Sequence, residues 1–155
     1  MATSKYLGKI PTHIPGQDTV GWVPVDATAR IIVELVLSDA EEPSSPAWTR
    51  YYNIVNPKYG SWEALVPIIV RKLGGDIEPV SFGAWLDALQ ATAARTEDVA
   101  KNPGIKLLEW FEQMRAGGEE AELETVETAR RSKTCSGLTA VGPEWMEIWL
   151  KQWNF

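Results

Sequence analysis

The sequence is poor in sulfur and imidazole: it has one Cys and one His in 155 residues. A lone Cys has no partner for an internal disulfide and cannot build a Cys-rich metal site, which fits a reducing, cytoplasmic setting. Basic residues are also few, 15 Lys+Arg against 21 Asp+Glu, giving a formal charge of −6. Nucleic acid favours a basic footprint, so no nucleic-acid partner is expected. No apolar run reaches the roughly 18 residues of a membrane span, so no membrane partner is expected either. The opening MATSKYLGKIP lacks the apolar core of a secretory signal.

Whole motifs are missing as well. Neither G-x-G-x-x-G nor G-x-x-x-x-G-K-[ST] follows a strand, so nothing cradles a phosphate. Gly74-Gly75 and Gly117-Gly118 read as helix stops instead. No Tyr is followed four residues later by Lys, and there is no G-x-S-x-G elbow. A zinc site on the single His would need carboxylates for every other ligand. No cofactor and no metal is expected.

Apolar residues, by contrast, make up 45% of the chain, and eight Trp stand against four Tyr and three Phe. This supports one domain over 1–155 with a real core. Residues 1–22 carry no regular period and read as an ordered N-terminal arm or loop, and 23–155 read as a helical body. Asp26 suits the N-cap of an apolar helix through about Leu37, with Arg30 and Glu34 pairing at its wet edge. Residues 38–47 read as an acidic surface loop.

Tyr51 to Asn56 is the best strand candidate, and Asp76 to Val80 the next, at an edge because of Pro79. The piece 51–80 then predicts a right-handed parallel crossover. Ser61 and Ser81 cap helices over about 62–73 and 82–94, with Pro67 expected to kink or tighten the first. Asn102-Pro103 opens another helix, and Gly142-Pro143 the last. Residues 119–131 read as charged and weakly helical, and 132–142 as loop. The class is mainly α with a small parallel β-sheet of two or three short strands.

His13, between Pro11 and Pro15, is either a plain loop residue or a general acid or base at the mouth of a pocket. Cys135 has Arg130, Arg131 and Lys133 nearby, which would lower its pKa if it were exposed. Trp85, Trp110, Trp145, Trp149 and Trp153 fall on helical stripes and are expected mostly in the core. Trp22, Trp48 and Trp62 sit beside loops or strand ends, where they could line a ligand cleft.

Several segments in order then resemble one family: Leu-Gly-Lys-Ile-Pro (7–11), Trp-Val-Pro-Val-Asp (22–26), Tyr-Asn-Ile-Val-Asn-Pro (52–57), Ser-Trp-Glu-Ala-Leu-Val-Pro (61–67), Val-Ser-Phe-Gly-Ala-Trp-Leu (80–86), Asn-Pro-Gly-Ile-Lys-Leu-Leu (102–108) and Gly-Pro-Glu-Trp-Met-Glu-Ile-Trp-Leu (142–150). Together they resemble the C-terminal end of thioester reductase domains. Those domains are extended short-chain dehydrogenase/reductases at the end of fungal nonribosomal-peptide-synthetase-like enzymes and related megasynthases. The resemblance implies a substrate-binding subdomain without the nucleotide-binding Rossmann half, since the Gly-rich loop and the Tyr/Lys pair of that half have no counterpart here. It carries over no catalytic residue. The segment 23–26 would keep only its role as a structural link beside the substrate cleft.

On that reading the chain alone neither binds NADPH nor reduces a thioester. The face toward the missing half would be apolar. It would be covered by a second copy, docked on a reductase half or carrier protein, or turned into a pocket. One expectation is a cofactor-independent enzyme that uses an inherited cleft to steer cyclisation, dehydration or isomerisation of a reactive acyl or aldehyde metabolite. His13, Asp18 and Asp26 are then the candidate acid/base groups, and Trp22, Tyr51, Tyr59, Trp62 and Trp48 the candidate substrate contacts. The alternatives are an accessory module that complements a separate reductase half or carrier protein, and an excised subdomain with no activity of its own.

Overall fold

The computed structural model describes residues 1–41, 49–74, 76–93, 101–117 and 123–155; Trp48 lies outside them. The chain forms two compact units. The first comprises Met1–Thr19, Ser61–Glu120 and Gly142–Phe155, the second Val20–Gly60 and Ala121–Val141. The described residues are mostly helical, with a small parallel pair of strands.

The first unit opens with α1 (Ala2–Leu7), where the sequence predicts an arm without helix. Gly8 at φ 62° ends it, the left-handed conformation that suits a glycine. Strand β1 (Lys9–Pro11) follows and pairs in parallel with β4 (Glu78–Val80), Ile10 facing Pro79. Pro11 and Pro79 each lack an N–H, which explains why this ladder stays short. The expected crossover therefore runs to a different strand: β4 joins β1, not residues 51–56.

Helix α3 (Trp62–Leu73) continues through Pro67, which lies on its exposed side. It buries Leu65, Ile68 and Ile69 and lies against α8 (Pro143–Gln152), which buries Met146 and Leu150. Helix α4 (Phe82–Ala93) starts as its cap predicts, the Ser81 hydroxyl accepting from the Ala84 N–H at 3.2 Å. Its stripe Phe82, Trp85, Leu86 and Leu89 makes the core of this unit. The helix expected after Asn102-Pro103 is a 3₁₀ turn (Pro103–Leu107) running into α5 (Leu108–Arg115). α5 buries no residue fully, and Trp110 on its surface is 49% exposed. Trp153 past α8 is half exposed too, so the aromatic stripes are only partly core.

In the second unit α2 (Val25–Glu41) begins one residue before the expected cap and runs into the segment expected to be loop. It buries Ala27, Ile31 and Leu35, and Tyr52 and Ile54 lie against Ile31, Leu35 and Cys135. Its other side, expected to be buried, is an exposed apolar stripe of Val25, Ile32, Val33, Val36 and Leu37. Residues 51–56, the expected strand, form neither strand nor helix. Short helices α6 (Val126–Arg131) and α7 (Lys133–Ser136) close the unit, the second where loop was expected. The two-residue strands β2 (Thr19–Val20) and β3 (Gly60–Ser61) pair with each other.

Candidate functional site

The loop after β1 carries the single His. Thr12 N–H prolongs the strand by donating to the Val80 carbonyl at 2.9 Å. Pro15-Gly16 then reverse the chain, with Gln17 N–H on the Ile14 carbonyl at 2.9 Å and Gly16 at φ 67°. Asp18 works inward and outward at once. One carboxylate oxygen accepts from Ile14 N–H at 2.8 Å; the other meets His13 Nδ1. The His13 side chain stays 63% exposed, so this His–Asp pair faces water.

Trp62 holds the loop shut. Its backbone N–H donates to the Asp18 carbonyl at 2.8 Å and its indole N–H to the Pro11 carbonyl at 2.9 Å. One residue at the start of α3 thus ties both ends of the His13 loop. At 7% exposure Trp62 is a buried clasp, where the sequence suggests a cleft wall.

His13, Asp18 and Trp62 belong to the first unit; Trp22, Asp26, Tyr51 and Tyr59 belong to the second. Asp26 is not a cap: it sits in the first turn of α2, exposed, and accepts from Arg30 at 3.1 Å. That replaces the expected Arg30–Glu34 pair. Trp22 and Tyr59 are 41% and 42% exposed, and Tyr51 86%. Tyr59 lies against Gly21, where a Cβ would come 2.9 Å from its ring. Asn56, 1% exposed, ties this region together. Its side-chain N–H groups donate to the carbonyls of Thr139 at 2.8 Å and Trp22 at 3.4 Å, and its N–H to Gly21 at 3.0 Å. The sequence shows Asn56 only as a strand end before Pro57.

Two carboxylates of α2, Glu34 (expected to pair with Arg30) and Asp39, take donors from distant parts of the chain. Glu34 accepts from the Ser132 hydroxyl and from the Thr134 hydroxyl and N–H. These bonds, Ser132's first, hold its carboxyl below the usual range. Asp39 accepts from the Tyr52 hydroxyl at 2.6 Å and from Arg50 at 2.7 Å on one oxygen, which lowers its pKa in the same way. Burial, then the bond to Asp39, pushes the Tyr52 hydroxyl up, so this Tyr is ill suited to lose a proton. Arg131, 4% exposed, joins Asp39 to Glu127.

Glu127 accepts from Arg130 and Arg131, which lower its carboxyl to about 2. Cys135 is fully buried at the start of this network. Burial, and after it the Glu34 charge, raises its thiol, so the cationic neighbours do not activate it. Among the described residues no group of three His, Cys, Asp or Glu could hold a metal, and no helix is long and apolar enough to cross a membrane.

These pieces describe a small helical unit with one exposed His–Asp pair and a second unit built around α2. No family model matches the chain. Relatives do match it. A carboxylic acid reductase of Neurospora crassa is 35% identical over all of this chain, which spans 15% of that enzyme. The non-canonical non-ribosomal peptide synthetase ascB of Acremonium egyptiacum is 29% identical over 99% of this chain and 13% of its own length. An adenylate-forming reductase of Serpula lacrymans is 29% identical over 97% of this chain, again 15% of the relative. The chain therefore belongs with the thioester reductase region of fungal carboxylic acid reductases and related synthetases. It spans about one-seventh of the length of these relatives.

Replacing Trp62 by Phe keeps an aromatic side chain, smaller than the indole, and removes the bond to Pro11. The expected result is a loss of about 1–3 kcal/mol in unfolding free energy from the unmet buried acceptor, with faster hydrogen exchange at the Ile14 and Gln17 amides. Unchanged exchange would show that the clasp is not needed.

For Glu127, the folded pKa of about 2 lies below its ordinary 4.5, so its contribution is full above 4.5 and is lost as pH falls toward 2. The stability difference between wild type and Glu127→Gln, measured by urea unfolding, should shrink across that window. A difference that does not change with pH would contradict the assigned ion pairs.

Proposed function

We propose that this chain is the substrate-side module of a thioester reductase region and acts by docking on a nucleotide-binding partner. The observation that carries this is the outward stripe of α2. Val25, Val33, Val36 and Leu37 are 86%, 57%, 64% and 58% exposed on one helix side. A helix with apolar residues on both sides is one made to be covered twice. The first cover is the unit's own core, Ile31 and Leu35. The second would be the partner.

The related reductases and synthetases are much longer proteins, which supports a partner within such an assembly. The module would hold an acyl or aldehyde metabolite while the hydride comes from the partner's nucleotide. By itself it would leave a thioester unreduced. Its fold would then be that of an extended short-chain dehydrogenase/reductase subdomain.

The test mixes the chain with the nucleotide-binding part of a related reductase. A one-to-one complex is expected in sedimentation. Val33→Glu with Val36→Glu should weaken it about tenfold or more with an unchanged circular dichroism spectrum. Aldehyde from NADPH and an acyl thioester with the chain alone would overturn the reading. So would a self-dimer that these substitutions abolish.

One observation favours a second reading. The contact of His13 with Asp18 gives the exposed loop an acid/base pair of the kind that could steer cyclisation, dehydration or isomerisation without a cofactor. Trp22, Asp26, Tyr51 and Tyr59 belong to the other unit. His13→Ala should then lower turnover of a reactive polyketide or peptidyl aldehyde by about a hundredfold or more, with an unchanged unfolding midpoint. An equal rate would leave docking as the sole reading.

A further inference from the structure

The contact between His13 and Asp18 decides which nitrogen of the imidazole carries a proton. Asp18 Oδ1 is already taken, since it accepts from the Ile14 N–H at 2.8 Å. The other oxygen, Oδ2, meets His13 Nδ1. A carboxylate offers only lone pairs, and a neutral imidazole has one N–H and one bare nitrogen. Two acceptors repel, so Nδ1 is the nitrogen that holds the proton. Nε2 is then the bare one. Among the described residues Asp18 is the ring's sole hydrogen-bonding or charged partner.

The backbone beneath this pair is fixed on all sides. Thr12 N–H bonds the Val80 carbonyl and Gln17 N–H the Ile14 carbonyl, each at 2.9 Å. Trp62 meets the carbonyls of Pro11 and Asp18. Pro11 and Pro15 bracket His13 and restrict the chain further. The ring is therefore held at Nδ1 on a set loop. With the His13 side chain 63% exposed, its far nitrogen is open to a molecule in solution.

We propose that Asp18 is a positioning residue that locks His13 in its Nδ1–H form, and that Nε2 is the base of this loop, acting on an aldehyde with an acidic C–H beside its carbonyl. The proposal rests on the reading of His13 and Asp18 as an acid/base pair, and it assigns the atoms. Nε2 takes the proton from the carbon beside the carbonyl, and the C–H electron pair moves into the enolate. The imidazolium so formed keeps the Asp18 carboxylate on its other nitrogen, which stabilises it. Nε2 then returns a proton to the enolate. Return to the same carbon exchanges its hydrogen; return to a conjugated carbon moves a double bond. Neither outcome consumes an oxidant or a reductant.

The test uses the full chain labelled with ¹⁵N, and phenylacetaldehyde in D₂O as the probe. At about pH 9, above the ordinary imidazole range, two-bond ¹H–¹⁵N spectra of the single His should show Nδ1 protonated and Nε2 bare. In Asp18→Asn the amide oxygen still accepts from Ile14 N–H while the NH₂ faces Nδ1, so the ring should switch to its Nε2–H form. Deuterium exchange beside the probe's carbonyl should run about tenfold or more faster than with free imidazole at the same concentration. It should fall about tenfold in Asp18→Asn and to the buffer rate in His13→Ala, with unchanged unfolding midpoints.

A wild-type ring protonated at Nε2, or a ring that Asp18→Asn leaves as it was, would overturn the role given to Asp18. Exchange abolished by His13→Ala but untouched by Asp18→Asn would also overturn it and leave the acid/base reading intact. The expected ring form with exchange no faster than free imidazole would overturn Nε2 as the base, and the acid/base reading with it.

Discussion

Trp62 is the residue on which the first unit's His13 loop depends. A tryptophan has two N–H donors, one on the backbone and one on the indole, and both must be met once the residue is buried. Here they reach the carbonyls at the two ends of the His13 loop. The loop needs no core of its own, because the start of α3 holds it closed. That arrangement lets Asp18 spend one oxygen on the turn and the other on His13, so the only imidazole of the chain is presented to solvent in a fixed setting.

The second unit uses charge where the first uses an indole. Glu34 and Asp39 lie on α2 and receive donors from distant parts of the chain: Ser132 and Thr134 for one, Tyr52, Arg50 and Arg131 for the other. Charge-assisted bonds of this kind are stronger than neutral ones, and here they anchor short helices that could not persist alone. They also settle Cys135. Its burial and the nearby Glu34 carboxylate raise the thiol, despite three cationic residues close in sequence. With its inner side so firmly committed, α2 is left with an outer side that is apolar and uncovered.

Two features of the fold are left unmatched. Among the described residues, the stripe on α2 is an exposed apolar surface and the aromatic cluster on α4 holds an N–H with no acceptor. An apolar stripe is costly to leave in water, and a buried N–H is costly to leave without an acceptor. The relatives, of which this chain spans about one-seventh, are much longer proteins.

The helices α3, α4 and α8 and the Ser81 cap were legible because their causes are local: an apolar residue every three or four positions, a hydroxyl before the first turn, a glycine or proline at an end. The kinship was legible too, since it rests on the order of short segments. Tertiary structure decided everything that depends on pairing across distance. Residues 51–56 have the composition of a strand, yet the parallel partner of β4 is β1, whose own Pro11 hides it from a propensity reading. Arg30 chose Asp26 because Glu34 was already engaged by Ser132 and Thr134. Trp62, read as a cleft wall, became a clasp, and Trp85, read as plain core, kept a donor unmet. Periodicity and capping are properties of neighbours in the chain; burial and hydrogen-bond satisfaction are properties of neighbours in space, and only the folded chain has those.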